Sequence, residues 1–177
     1  MSRLRTETSW KDVCPGSSRE ALGNSRVPSQ RTAQEHTVEQ IGPRPSHKYP
    51  WGSKPTPYEE IGGDERVRAL VDTFYDLVEA ESPILRAMLP PDMSVSRQKL
   101  YEFLSGWMGG PQVYFERRGH PRLRLRHMPF PIDTHAAEEW ARCMSQALVV
   151  IDAPDSLRAY LERELGNTAH GLRNKLD

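Results

Sequence analysis

Residues 119–130 read GHPRLRLRHMPF, and they pose the main choice of fold class in this chain. Leu123 and Leu125 alternate with Arg122, Arg124 and Arg126, the period-two pattern of a half-buried strand. A strand needs a partner, and no second alternating run or hairpin signal occurs in the sequence. The strand reading is therefore rejected and the surrounding segment, residues 111–132, is read as a long loop rich in Pro, Gly, Arg and His. Loops of that length inside compact domains often carry function.

Working outward, both flanks are helical. Upstream, Leu100, Phe103, Leu104, Trp107 and Met108 share one face of a helix from about Ser94 to Met108, which Gly109, Gly110 and Pro111 end. Before it, Ser82 and Pro83 open a short helix that Pro90 and Pro91 stop. Val67, Leu70, Val71, Phe74, Leu77 and Val78 recur at helical spacing, with Asp64 as expected N-cap. Downstream, Trp140, Cys143, Met144, Ala147, Leu148 and Ile151 form the stripe of a helix starting near Asp133. Leu157, Tyr160, Leu161, Leu165, Ala169 and Leu172 form the stripe of a last one. Four substantial helices and a short one make an all-α body.

Residues 1–56 differ in kind. They hold 13 apolar residues, six prolines and no lasting apolar period, and nine Lys or Arg against five Asp or Glu. Such composition cannot offset the entropy of ordering, so the expectation is a disordered N-terminal extension, 1–56, before a globular domain, 57–177. Trp10, Tyr49 and Trp51 are its aromatic exceptions.

Of the 177 residues, 24 are basic and 24 acidic, so nothing in the net charge points to nucleic acid. Two cysteines, Cys14 and Cys143, build no disulfide framework and fit a reducing, cytoplasmic setting. No apolar run spans a membrane, and the N-terminus does not read as a secretory signal. Zinc-ligand spacing, a nucleophile elbow, a phosphate loop and Cys-x-x-Cys are all missing. What remains is a lone histidine beside apolar walls, the arrangement a haem iron requires.

Residues 119–130 closely resemble a motif of the group II truncated haemoglobins. So do Glu138, Glu139, Trp140, Ala141, Arg142, Cys143 and Met144. Residues 58–63 (YEEIGG), 70–75 (LVDTFY) and 103–111 also match in kind, order and spacing, and the likeness runs over about residues 57–175.

The resemblance implies a two-over-two helical globin sandwich around one b-type haem. It implies His127 as the iron's proximal ligand, and Tyr75 and Trp140 as hydrogen-bond donors to a bound diatomic ligand. Ser96, Leu100 and Phe103 would line the distal wall. Arg126, Lys99 and Tyr114 are the residues expected at the haem propionates. Leu89 stands where the family usually has Phe or Tyr; it fills space but donates no hydrogen bond.

The implied function is binding of oxygen and other diatomic gases (carbon monoxide, nitric oxide), as in oxygen transport. Two other readings stay open. One is haem enzymology, as nitric-oxide dioxygenation or peroxidase-like turnover, which needs an external reductase because the chain has no flavin motif. The other is a non-haem helical interaction module. Neither a membrane nor a nucleic acid is expected as partner, and a homodimer is left open.

Overall fold

Residues 48–176 are described by the computed structural model, and the regular elements among them are all helices. In chain order the elements are α1 (Pro57–Ile61), α2 (Asp64–Glu81), α3 (Pro83–Ala87), α4 (Ser94–Trp107), α5 (Val113–Arg118), α6 (Leu123–His127), α7 (Thr134–Val150) and α8 (Asp155–Gly171). Among the described residues the only strand-like feature is an isolated bridge between Tyr49 and Gly52. The disorder expected of residues 1–47, and Cys14 with it, falls outside the described residues.

The four long helices form where the apolar stripes place them. α7 lies against α8, and α2 packs on both α7 and α4. Val67, Leu70, Val78, Leu148, Leu157 and Leu161 are fully buried at these contacts. Each buried Leu contributes about 2 kcal/mol through removal of apolar surface from water.

Helix ends follow local chemistry. Asp133 caps α7 by accepting the Ala136 N–H at 2.8 Å. Ser82 precedes Pro83 at the start of α3, as expected. α4 stops where Gly109 turns left-handed (φ 89°), and the Tyr58 ring lies so close to Gly110 that a Cβ there would sit 2.5 Å from it. Asp64 is not the cap of α2 but its first residue, with Gly63 as cap. Its carboxylate is taken by Arg68 (3.0 Å) and by the Tyr101 hydroxyl on α4.

Two expectations need revision. The segment 111–132 is not a plain loop: it contains α5 and α6, helices of six and five residues. Elements that short show no 3.6-residue stripe, so periodicity cannot find them. The alternation of Leu123 and Leu125 is not a strand face either, since Leu125 is 64% exposed at the surface of α6.

The second revision concerns residues 48–56, which composition assigns to the extension. Tyr49 stacks on Trp51 at 5.2 Å, and Trp51 meets Tyr160 of α8 edge-on at 5.2 Å. The Ser156 hydroxyl donates to the Trp51 carbonyl (3.1 Å), while Glu60 accepts the N–H groups of Ser53 and Lys54. These residues form a strap packed on the helical body.

Candidate functional site

A cavity of about 210 Å³ opens between the α2–α4 pair and the α7–α8 pair, closed on one side by α6 and residues 128–132. No Asp, Glu, Lys or Arg lines it; its polar members are His127, Tyr75, Trp140 and Thr168. Leu100 and Phe103 on α4, which are only partly buried among protein atoms, face it, as do Leu85, Met88 and Leu89.

His127 closes α6. Its Nδ1 lies 2.7 Å from the Leu123 carbonyl, one turn back along the same helix. A carbonyl only accepts, so Nδ1 carries the proton and the Nε2 lone pair stays free. Metal-binding histidines are commonly oriented in this way, with the second nitrogen bound to a backbone carbonyl.

The single turn of α6 is itself held by side chains. Arg126 reaches back to donate from Nε to the Pro121 carbonyl at 2.9 Å. His120 accepts the Arg122 N–H at Nδ1 (3.1 Å) and sets its ring edge-on to Phe115. That bond accompanies the left-handed Arg122 (φ 44°) at the head of the helix.

α5 is tied to α4 by a group the sequence does not single out. Glu102 is fully buried, and its carboxylate accepts bonds from Arg117 (3.0 Å), Arg118 (2.8 Å) and Gln98 (3.0 Å). Burial alone would raise its pKa, but the bonds from Gln98, Arg118 and Arg117 outweigh that and hold it below the ordinary glutamate value. On the page of the sequence, Glu102 looks like a solvated position beside the apolar stripe of α4.

On the opposite wall stand Tyr75 of α2 and Trp140 of α7, with the Phe74 ring 5.1 Å from the first and 5.2 Å from the second. Burial pushes the Tyr75 phenol up to about 12, against smaller opposing effects of Arg97 and of a bond with Ser96. It is therefore an O–H donor at any physiological pH. Among the described residues no side chain or carbonyl accepts a bond from the Trp140 indole. Arg97 lies 5.5 Å from the Tyr75 ring and is anchored to Asp72 and Asp76, which fixes α4 against α2.

Of the residues singled out in the sequence, His127, Tyr75, Trp140, Leu100, Phe103 and Leu89 all line the cavity. Ser96 is not part of the lining; it acts on the Tyr75 hydroxyl. Arg126 and Lys99 are exposed and outside the lining. Tyr114 is buried, with Phe103 edge-on at 6.1 Å and the Arg126 guanidinium 6.0 Å from its ring. Sequence reading missed Phe74, Leu123, Phe130, Ala136, Ala137 and Thr168 as wall residues. The two alanines give no signal in a sequence, since small residues mark space only once neighbours are known.

The residues present fit a haem. Its macrocycle needs a flat, uncharged, apolar slot, and its iron needs a neutral imidazole presented by one nitrogen. No cluster of three or more His, Cys, Asp or Glu that could cage a bare metal ion occurs among the described residues. Two long helix pairs around a cavity with one such histidine define a small globin.

The chain belongs to the bacterial-like globin family, whose model matches residues 56–174. It is 40% identical over 121 residues to the group 2 truncated hemoglobin YjbI of Bacillus subtilis, covering 68% of this chain and 90% of that protein. The crystal structure of the group II truncated hemoglobin from Bacillus anthracis superposes with a TM-score of 0.67 at 38% identity, over 69% of this chain and 93% of that one. The hemoglobin of the thermophilic phototroph Chloroflexus aurantiacus does so with a TM-score of 0.66 at 40% identity, over 69% and 100%. The fold is thus the two-over-two truncated globin, a group II truncated haemoglobin, and its cofactor is haem.

Proposed function

We propose that this globin binds oxygen and related diatomic gases reversibly, with His127 as the axial base and Tyr75 and Trp140 as the groups that hold the ligand. One observation carries the reading: a single apolar cavity has a histidine with a free Nε2 on one wall and two N–H or O–H donors on the other. Haem held by these residues would supply an iron able to take up a small gas molecule.

The chain's own residues do the rest. Leu123 O fixes the His127 tautomer. Tyr75 and Trp140 donate to a ligand that gains partial negative charge, in a site where exclusion of water strengthens such bonds. Leu89, Leu100 and Phe103 keep water out, and Ser96 orients the Tyr75 hydroxyl. Arg126, Lys99 and Tyr114 are the proposed propionate partners, and the Arg126 guanidinium lies 6.0 Å from the Tyr114 ring.

A second reading has its own observation, the aromatic series Tyr75–Phe74–Trp140, whose Tyr and Trp members are redox-capable. Nitric-oxide dioxygenation or peroxidase-like turnover would draw electrons from an external reductase. In either case the proposed setting is the cytoplasm; no helix among the described residues is long and apolar enough to cross a membrane. The proposed functional unit is the globin domain with its 48–56 strap, and a homodimer is a matter for solution measurement.

The test is the visible spectrum of the haem-loaded full chain before and after dithionite, then carbon monoxide. The expected result is a Soret band that shifts at each step, and loss of haem in His127→Ala. A colourless protein that refuses added hemin would reject the reading. Reversible oxygenation without consumption of a supplied reductant favours carriage; steady consumption with nitric oxide or peroxide favours turnover.

A further inference from the structure

The segment that follows His127 cannot hold itself. Residues 128–132 read MPFPI, and Pro129 and Pro131 have no backbone N–H to donate. The turn closes on itself once, through the Phe130 N–H to the His127 carbonyl at 3.1 Å. Its remaining ties come from the far end of the chain. Asn174 donates from Nδ2 to the carbonyls of His127 (3.1 Å) and Phe130 (2.9 Å), and its Oδ1 accepts the Ile132 N–H at 3.1 Å. The backbone N–H groups of Asn174 and Lys175 both donate to the Ile132 carbonyl, at 2.9 and 3.1 Å.

This is not ordinary capping of α8. The last turn of α8 closes through its own backbone, Leu172 N–H to Ala169 O and Arg173 N–H to His170 O. No α8 carbonyl receives a bond from the Asn174 side chain. That side chain instead makes three bonds, all to the His127 segment. Two carbonyls require donors and one N–H requires an acceptor, which fixes which end of the amide is which. Only a carboxamide of this length satisfies all three: Asp offers no donor when ionised, and Ser has too few groups.

We propose that Asn174 is the positioning residue for the haem-ligating histidine, an inference that rests on His127 being the axial ligand. The imidazole is held at Nδ1 by Leu123 O, and the main chain of the same residue is held by Asn174. Together they set the rotation of the ring about the line toward the cavity. Asn174 also couples two walls, because Thr168, Ala169 and Leu172 at the end of α8 line the same cavity. Retention of haem and docking of the last turn of α8 are therefore linked.

The experiment uses the haem-loaded full chain with Asn174→Ala, the isosteric Asn174→Asp, and Lys175→Ala as control, since Lys175 reaches the segment through its backbone alone. Two quantities are read: the rate of hemin transfer to excess apomyoglobin, and the iron–histidine stretching band of the ferrous protein by resonance Raman. Both Asn174 variants are expected to lose hemin on the order of tenfold faster or more, the usual cost of removing a group that orients a metal ligand. Both should shift or broaden the iron–histidine band, while Lys175→Ala matches the parent in both readouts. Faster hemin loss with an unchanged band would reduce Asn174 to a structural tie and overturn the proposal, as would no change in either. A His127→Ala protein that keeps the parent band would instead overturn the axial assignment itself.

Discussion

The distal wall of the cavity is made by three long helices that meet through apolar side chains, with Val78 and Leu104 buried in the wall itself and Leu148 buried outside the lining. The proximal wall is made by the five-residue α6 and a proline-rich turn, held by Arg126 and Asn174, and the six-residue α5 that precedes them is held to α4 by Glu102. Apolar packing is non-directional and tolerates small shifts. Hydrogen bonds and buried ion pairs fix direction, at the risk of a large loss when one partner goes. His127, the proposed iron ligand, sits on the wall where direction matters, and the proposed gas-binding space lies on the wall where shape and dryness matter.

If that contrast is right, equal losses of stability on the two walls should have unequal consequences. Glu102→Leu takes away the carboxylate that Arg117, Arg118 and Gln98 share and should cost about 2–3 kcal/mol in urea unfolding at pH 7. Leu157→Ala in α8, away from the proximal wall, should cost a similar amount, about 3 kcal/mol. Only the Glu102 variant should also release hemin markedly faster, because only it frees α5 from α4. Equal hemin loss in the two would break the distinction between the walls.

On the distal side the sharper question is function. On the proposed reading, Tyr75→Phe removes one hydrogen bond to a partly charged ligand, about 1.5–3 kcal/mol, and should speed oxygen release roughly 10- to 100-fold by stopped-flow. Stability should barely change, since the ring and its contact with Phe74 remain. Unchanged release would transfer the holding role to Trp140.

The strap supplies a third, smaller test. Trp51→Ala removes an edge-on aromatic contact with Tyr160 and should cost about 1 kcal/mol, read from the urea midpoint, with the haem spectrum unaltered. A variant as stable as the parent would return residues 48–56 to the status of a loose lead-in.

The same contrast explains what could be read in advance. α2, α4, α7 and α8 announce themselves because long amphipathic helices repeat an apolar stripe several times. α5 and α6 complete barely one turn each, so their sequences hold no repeat, and Leu123 and Leu125 even imitate a strand. His127, Tyr75 and Trp140 came from resemblance to a family, not from periodicity, which would have left them as a loop imidazole and two core aromatics. Glu102 and Asn174 were illegible for one reason: a polar residue on paper looks solvated until its partners, 16 and 47 positions away, are folded against it. Trp51 was hidden by the composition around it, since an average over a polar segment dilutes a single docked ring.

The smallest expected effect concerns acid. Glu139 on α7 pairs with Arg142 through two bonds of 3.0 Å, and Arg142 also reaches Glu81 at the end of α2. The Arg142 bonds lower the Glu139 carboxyl from 4.5 to about 2. A carboxyl whose pKa is lower when folded adds stability that is fully present above its unfolded value and is lost as the pH falls. The contribution should therefore be intact at pH 5 and above, and drain away between pH 4.5 and 2. Because the pair is partly exposed to solvent, its size should not exceed about 1 kcal/mol and should shrink with salt. Glu139→Gln should be slightly less stable than the parent at pH 6, and the gap between their urea midpoints should close as the pH is lowered through 4. A gap that stays constant with pH would mean that the ion pair adds nothing and that apolar packing alone holds α2 to α7, making the distal wall still more unlike the proximal one.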